Sequence, residues 1–306
     1  MKRRITRREM VAEAAALAAA ALWFPVPLLA EPDSPSPADK LRLRAWSTAL
    51  RSIGMDDKSI PMGARAIKVG ELAIGTPYVP YTLEAYIKAG GDPKQVEPLT
   101  LSLTRFDCVT LVESCLAVAR ASDDGRKPSW EKFSREVERM RYRGGKRRGY
   151  TSRLHYFSEW ISDGEKRGLV KDLGKELAGE NDTRPLRFMT EHRSSYPALA
   201  DDNVFAQIGE MEKSLDGNPR WVIATDRIAS VQDRIQTGDV LAFATAIPGI
   251  DVTHAAFAYR GHDGVLRVLH APLSGGAVEI TRSTLPEYVA KIKRSTGILI
   301  ARPLSA

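Results

Sequence analysis

Apolar residues recur at helical spacing through much of the first half of the chain. Two apolar stripes run through residues 39–74, and the Gly-Thr-Pro-Tyr segment at 75–78 then ends the pattern. A third stripe covers residues 107–120, with Asp107 suited to cap its first turn. Weaker helical patterns follow at 130–140 and 156–161. These patterns predict a largely helical first half.

The last hundred residues show a different pattern, with short apolar segments bounded by Gly, Pro or Asp. Such segments are typical of strands. They lie at 222–225, 240–244, 254–259, 265–270, 277–280 and 298–302. Residues 171–220 are polar and predict no definite element. Helices followed by strands indicate an α+β fold with an antiparallel sheet, and we expect residues 39–306 to form a single domain.

The N-terminal segment has the layout of a secretory signal at residues 1–30. Five basic residues precede an apolar stretch at 10–24 that is too short to span a bilayer, and Pro25 and Pro27 follow it. Residues 6–10 also resemble a twin-arginine export signal. We therefore expect an exported, periplasmic protein without stable membrane insertion after signal removal. The alternative is an amphipathic N-terminal helix of a cytosolic protein.

Residues 31–38 are rich in Pro and Ser and predict a linker. The composition of the full chain is that of a globular protein, with 43% hydrophobic and 27% charged residues. Loss of residues 1–30 removes five basic and two acidic groups, which lowers the net charge from +7 to +4. A basic patch remains at 141–153. Nucleic acid is one partner for such a patch, but for an exported protein we expect no nucleic acid and favour an anionic substrate or a solvated loop.

The two cysteines, Cys108 and Cys115, differ in the chemistry that their positions allow. On one helix they are separated by an axial rise of about 10 Å, too far for a disulfide. Cys108 lies in the first turn, where the helix dipole and unpaired N–H groups favour a thiolate and offer part of an oxyanion hole. Cys108 is therefore a candidate nucleophile, with a small buried hydrophobic residue as the alternative. Cys115, in the middle of the apolar stripe, is expected to be structural.

A cysteine nucleophile requires a base and a group that orients the base. His254 and His270 lie on consecutive predicted strands, joined by a turn that contains the exposed His262. A three-residue loop would place the two histidines directly opposite each other, whereas a two-residue loop would send His270 to the other face. Metal binding by Cys108 and both histidines is an alternative, but the chain lacks the closely spaced ligand pairs of zinc sites. We expect no metal and no other cofactor.

Five motifs occur in the order and spacing of the NlpC-type cell-wall hydrolases, bacterial relatives of papain. They are Gly-Thr-Pro-Tyr ending at Tyr78, Phe-Asp-Cys-Val-Thr around Cys108, Gly-Asp-Val at 238–240, Thr-His-Ala-Ala-Phe around His254, and Leu-His-Ala around His270. The chain most resembles the N-acetylmuramoyl-L-alanine amidase-like branch, through the runs at 151–160 and 186–192. After Tyr78 the chain has Val-Pro-Tyr where most of the superfamily has a glycine pair, which favours this branch.

The resemblance implies a papain-like core in which the catalytic helix packs on an antiparallel sheet, with helical N-terminal and mid-chain insertions. It implies Cys108 as nucleophile, His254 as general base and His270 as the residue that orients the base. It also places Tyr78 beside the nucleophile.

The substrate implied by the resemblance is peptidoglycan or its muropeptide fragments, cleaved at the amide between N-acetylmuramic acid and L-alanine. Arg153 is a candidate anchor for the carboxylates of the peptide stem, with a solvated surface arginine as the alternative. His155 and Tyr156 either line the cleft or lie at the edge of the core. Two other functions stay open, namely an endopeptidase that cuts within the stem peptide and a wall-binding module without catalysis.

Overall fold

The computed structural model describes residues 34–122, 128–274 and 276–305. The predicted signal at 1–30 and the start of the linker lie outside the described residues. The rest of the predicted linker is shorter than expected, because a helix already begins at Pro37, capped by the Ser36 side chain. The described residues, from 34 onward, form one compact unit.

The longer helices lie mostly in the first two thirds of the chain. The α-helices are α1 (Pro37–Ser52), α2 (Met62–Leu72), α3 (Ala85–Lys88), α4 (Cys108–Ala121), α5 (Trp130–Arg141), α6 (Phe157–Lys166), α7 (Phe188–Glu191), α8 (Asp202–Ser214), α9 (Ile228–Val231) and α10 (Leu285–Lys291). Within the described ranges, no helix combines the length and apolar character that a bilayer crossing requires.

Within the part of the chain that the structure describes, eight strands form one antiparallel sheet. They are β1 (Val170–Asp172), β2 (Glu180–Asn181), β3 (Trp221–Ala224), β4 (Val240–Thr245), β5 (Val252–Arg260), β6 (Leu266–His270), β7 (Glu279–Ile280) and β8 (Ser295–Pro303). The order across the sheet is β2-β3-β8-β4-β5-β6-β7, and β1 also pairs with β8. The predicted α+β class with an antiparallel sheet is confirmed. The region at 171–220 contains elements that its polar sequence did not predict, among them the 13-residue helix α8.

Two cores lie on the two faces of the sheet. Alternate residues of β4 divide between them, with Ala242 in the core shared with α1, α2, α4, α5 and α6, and Phe243 in the smaller core shared with α10. This alternation is the period of two expected of a strand that is covered on both faces. A third cluster lies around α8 and contains Tyr150 and Tyr156. The sheet therefore lies between two helical layers.

Helix α4 is buried along almost its whole length, and its first turn is fixed by a capping box. The Asp107 carboxylate accepts from the Thr110 N–H at 2.8 Å, and the Asp107 N–H donates to the Thr110 hydroxyl at 2.9 Å. At the other end, buried Arg65 donates to the Ala119 carbonyl at 2.6 Å. Free N–H groups at the start and free carbonyls at the end of the helix thereby gain partners. The position of Cys108, the first helical residue, is consequently well defined.

The β5–β6 hairpin differs from both predicted registers. Arg260 pairs with Leu266 and Ala258 with Val268, so the loop has five residues. This register shifts the predicted pairing by two residues. His254 and His270 therefore are not directly opposite, as a three-residue loop would have placed them. Because a shift by two preserves the face, they still lie diagonally on the same side of the sheet.

Candidate active site

The Cys108 side chain lies where helix α4 meets strand β5. Backbone N–H groups of Ala255, Val109 and Cys108 itself approach the sulfur. Ala255 directly follows His254, so the thiol contacts the strand that carries the proposed base. Cys108 is half-buried, whereas Cys115 is fully buried in the core. The two cysteines are not paired with each other.

The thiol is protonated at neutral pH. Burial and the adjacent Asp107 carboxylate raise the pKa of Cys108 to about 12, although the three N–H groups act in the opposite direction. This corrects the sequence-based argument that the helix start would favour a thiolate. The helix N-terminus does stabilise negative charge, but the residue that caps it is itself negative.

The imidazoles of His254 and His270 are hydrogen-bonded to each other. Nε2 of His254 lies 2.9 Å from Nδ1 of His270, and the rings meet edge to face. A β-bulge interrupts the pairing of β4 with β5 between Phe243 and Ala244. Thr253, immediately before His254, is the extra residue on β5. Such bulges re-aim the side chains beside them. The bond to Nε2 leaves Nδ1 of His254 for another partner.

Both histidines are neutral at physiological pH. Burial, and then repulsion by His270, lowers the pKa of His254 to about 3, and burial lowers the pKa of His270 to about 4. A neutral imidazole has one unprotonated nitrogen and can accept a proton. The site therefore pairs a neutral thiol with neutral imidazoles.

Three further residues surround this pair, and sequence reasoning did not identify them. Phe243 stacks on the His254 ring, with centroids 5.6 Å apart. The Tyr288 hydroxyl lies 3.3 Å from Nδ1 of His270, and a Glu279 carboxylate oxygen lies 3.6 Å from Nε2 of the same ring. Tyr288 and Glu279 are 18 and 9 residues beyond His270, and no local motif marks them; only the tertiary contacts do.

Tyr78 lies near Cys108 and Asp107. Burial and the nearby Cys108 and Asp107 raise the pKa of Tyr78 above its usual range, so its hydroxyl stays protonated. A backbone bridge to Phe106, two residues before Cys108, holds Tyr78 in place. The structure thus brings Tyr78, Cys108 and the strand carrying His254 together.

Comparison with known proteins identifies the family of the chain. Residues 68–298 match the family described as AmiA-like, N-acetylmuramoyl-L-alanine amidase-like. The chain belongs to this AmiA-like family. No curated protein shows a significant match.

Solved structures with similar folds agree with the assignment to the amidase-like family. An N-acetylmuramoyl-L-alanine amidase from Bacteroides uniformis superposes with a TM-score of 0.71 at 30% identity, over 79% of this chain and 98% of that one. A Bacteroides fragilis protein provisionally named a xylanase gives 0.69 at 32% identity, over 76% and 99%. A Legionella pneumophila protein gives 0.61 at 20% identity, over 87% and 94%, and shows the fold alone. The α+β architecture is therefore that of amidase-like structures.

In this amidase-like chain, Arg153 is not a free surface cation. Its side chain is only 4% exposed and forms ion pairs with Glu84 at 2.9 Å and Glu97 at 3.4 Å. It also donates to the Leu83 carbonyl at 2.9 Å. The sequence-based argument for Arg153 as an anchor assumed an available charge, and the structure corrects that assumption. The two carboxylates already compensate the guanidinium.

His155 and Tyr156 also take part in internal contacts. Nε2 of half-buried His155 donates to the Tyr150 carbonyl at 2.9 Å, and burial together with Arg153 lowers the pKa of His155 well below its ordinary value. Tyr156 is 3% exposed and donates to the Glu212 carboxylate at 2.6 Å. Tyr156 thus belongs to the core, and the alternative that it lines the cleft is corrected.

The described residues contain no cluster of three or more His, Cys, Asp or Glu side chains placed to hold a metal ion. Cys108, His254 and His270, the candidate metal ligands of the sequence, therefore do not form such a cluster. Instead, the Cys108 thiol contacts the strand that carries His254, and the His254 imidazole is hydrogen-bonded to that of His270.

Proposed function

We propose that this AmiA-like protein is a cysteine-dependent amidase with a papain-like, NlpC-type core. It would hydrolyse the amide between N-acetylmuramic acid and L-alanine in peptidoglycan or muropeptides. The observation that carries the proposal is the placement of Cys108 at a buried helix start, in contact with the residue after His254, together with the 2.9 Å bond from His254 to His270. Nucleophile, base and orienting group are the parts that acyl transfer requires.

The reaction begins with proton transfer, because thiol and imidazole are both neutral. As the sulfur attacks the amide carbonyl, Nδ1 of His254 takes the thiol proton. In this proposal the N–H groups of Cys108 and Val109 in the first helical turn, together with the protonated Tyr78 hydroxyl, stabilise the oxyanion. His254 then passes the proton to the departing L-alanine nitrogen, and the muramyl lactyl group remains on Cys108 as a thioester.

Water completes the cycle. His254 accepts a proton from water as the oxygen attacks the thioester, and it returns a proton to the departing sulfur. The products are a muramic acid carboxylate and a stem peptide with a free amino terminus. The net reaction is hydrolysis of an amide by water, and it consumes no redox partner and no metal.

A glycoside hydrolase with the same fold is a second candidate, because one structural relative carries a xylanase name. Glycosidases typically use a pair of carboxyl groups on either side of the bond. Of the carboxylates near the thiol and the histidines, Asp107 caps helix α4, and Glu279 is an exposed side chain 3.6 Å from Nε2 of His270. The site therefore favours amide hydrolysis.

Mass spectrometry of digested muropeptides tests the proposal. We expect free stem peptides beginning with L-alanine and sugars without peptide, with all activity lost in Cys108→Ala and retained in the matched core variant Cys115→Ala. Truncated stems still attached to sugar would instead identify an endopeptidase. A wild-type protein that binds muropeptides without turnover would identify a binding module, and xylan cleavage would overturn the amidase assignment.

We also propose that the protein is exported to the periplasm, since its suggested substrate lies there. The support is the basic and apolar layout of residues 1–30. Amino-terminal sequencing of protein from the periplasmic fraction should find a mature start at about Glu31. Recovery of the intact chain from the cytosol alone would contradict export.

A further inference from the structure

The two ring nitrogens of His270 have different surroundings. Nδ1 lies 2.9 Å from Nε2 of His254 and 3.3 Å from the Tyr288 hydroxyl. Nε2 is buried and has no hydrogen-bond partner among the described residues. A carboxylate oxygen of Glu279 lies 3.6 Å from it, just beyond hydrogen-bond distance. The titratable groups that face His270 thus come from three elements: His254 on β5, Glu279 on β7 and Tyr288 on α10.

The single bond between the two histidines couples their tautomers. A neutral imidazole carries one proton, and only one of the two nitrogens in this bond can donate. If His254 donates from Nε2, its Nδ1 is unprotonated and can act as a base. If His270 donates from Nδ1 instead, His254 carries its proton on Nδ1 and has no lone pair left for the thiol. The tautomer of His270 therefore decides whether His254 can act as a base.

Tyr288 and Glu279 both favour the tautomer that leaves His254 basic. Burial, with contributions from Glu279 and Cys108, raises the pKa of Tyr288 to about 12, so the phenol keeps its proton and can donate to Nδ1. The phenol can donate to Nδ1 only while that nitrogen is unprotonated, so this hydrogen bond stabilises the tautomer that carries its proton on Nε2. The Glu279 carboxylate attracts an N–H on Nε2, although its side chain is 52% exposed and its effect is screened by solvent.

The Tyr288 ring is held by packing as well as by its hydroxyl. It meets His270 edge to face at 5.2 Å and lies 5.5 Å from Phe243, which in turn stacks on His254. Helix α10 carries Tyr288 and begins with a capping box between Thr284 and Glu287. A phenylalanine in place of Tyr288 would preserve this packing and remove only the donor.

We propose that Tyr288 and Glu279 are positioning residues that hold His270 in its Nε2-protonated tautomer and thereby keep His254 available as a base. The catalytic consequence rests on the proposed cysteine amidase function, whereas the tautomer itself does not. Tyr288 is the stronger contributor, because its hydroxyl lies within hydrogen-bond distance of Nδ1 and its side chain is half-buried, whereas Glu279 is exposed.

Long-range ¹H–¹⁵N NMR of the imidazole nitrogens tests the tautomer without reference to activity. In the wild type we expect His270 to be protonated on Nε2 and His254 also on Nε2. Tyr288→Phe should raise the population of Nδ1-protonated His270, and Glu279→Gln should do so less. A wild-type His270 protonated on Nδ1 would overturn the inference, even if a variant failed to fold.

Kinetics with a muropeptide substrate test the consequence. We expect Tyr288→Phe to lower kcat about 10-fold, the effect of one hydrogen bond, with little change in KM. Matched controls are Tyr259→Phe on strand β5, whose hydroxyl interacts with Glu71, and Glu180→Gln on edge strand β2; both should leave kcat unchanged. An unchanged kcat in Tyr288→Phe would overturn the positioning role. The expected tautomer in a wild type that cleaves no muropeptide would instead refute the proposed function alone.

Discussion

At the scale of single residues, opposing electrostatic effects decide the state of Cys108. Three backbone N–H groups stabilise the thiolate, whereas burial and Asp107 destabilise it more, and the pKa rises to about 12. A thiolate–imidazolium pair is therefore not the resting state. His254, with its pKa lowered to about 3, remains an unprotonated acceptor over the whole physiological range. The pair would act by general-base catalysis at the moment of attack.

Alkylation by iodoacetamide measures this state directly. Because a raised pKa means that the thiolate fraction grows about tenfold with each pH unit, the Cys108 rate should climb from pH 7 to pH 10 without a plateau. Cys115, fully buried and also with a raised pKa, should react far more slowly at every pH. The single-thiol variants Cys115→Ala and Cys108→Ala separate the two rates. A plateau below pH 7 for Cys108 would indicate a preformed ion pair instead.

At the scale of elements, the cap of helix α4 has two effects that can be separated. The Asp107 carboxylate satisfies the Thr110 N–H and also accepts from the Thr82 hydroxyl at 3.1 Å. Its hydrogen bonds hold the first turn in place, and its charge raises the pKa of the adjacent thiol. Asparagine caps helices about as well as aspartate but carries no charge.

Asp107→Asn should therefore increase Cys108 alkylation at pH 8 with little loss of stability. Asp107→Ala should increase it too, but should also lower the free energy of unfolding by about 1 kcal/mol through loss of the cap. Ser129→Ala, at the N-cap of helix α5, is a matched control that loses a cap without altering the thiol. If Asp107→Asn left the alkylation rate unchanged, the carboxylate would not control the thiol.

The hairpin that carries both histidines shows where local patterns stop being informative. Turn residues at 261–264 correctly predicted a hairpin. Because side chains alternate between the two faces of a strand, His254 and His270 could lie on the same face or on opposite faces. The register depends on how β5 pairs with β4 and β6 with β7, which involves residues distant in sequence. The buried Ala256 shares the face of His254, and its small side chain leaves room for the diagonal contact.

At the scale of the whole molecule, the basic patch divides into buried and exposed groups. Buried Arg141 is paired with buried Glu113 at 2.7 Å, and buried Arg153 is paired with buried Glu97 and half-buried Glu84. Lys146 and Arg148, by contrast, are exposed and form no ion pair with any described residue.

These two cations line a surface cavity of about 630 Å³. Lys94 and Arg143 also line it, and no acidic residue does. The segment that forms this cavity leads directly into Arg153. Arg153 contacts Leu83 and Glu84, which follow Thr82, and the Thr82 hydroxyl donates to the Asp107 carboxylate beside Cys108. We therefore expect any basic anchor for stem carboxylates at Lys146 and Arg148, not at Arg153.

Paired variants distinguish these roles. Arg153→Met leaves the buried Glu97 and the half-buried Glu84 without their cation and should lower the free energy of unfolding by about 3 kcal/mol in urea titrations. Lys146→Gln with Arg148→Gln should leave stability unchanged and raise KM for muropeptides with free stem carboxylates. Arg44→Gln with Lys58→Gln removes the same charge elsewhere on the surface and serves as control. A raised KM in both double variants would indicate only a general charge effect.

Much of the architecture was readable from the chain because its signals are local. Apolar spacing, capping residues and turn residues act over a few positions. They predicted that helix α4 starts at Cys108, and they predicted His254 and His270 on neighbouring strands. The sequence by itself thus determined the α+β class and the candidate nucleophile and histidines.

The protonation states and contacts of these residues depend on the folded structure. The protonation of Cys108, the diagonal register of the histidines, the compensation of Arg153 and the approach of Tyr288 to His270 all join residues far apart in the chain. The physical reason is that burial and electrostatic coupling depend on distances in space, which local patterns along a chain do not encode.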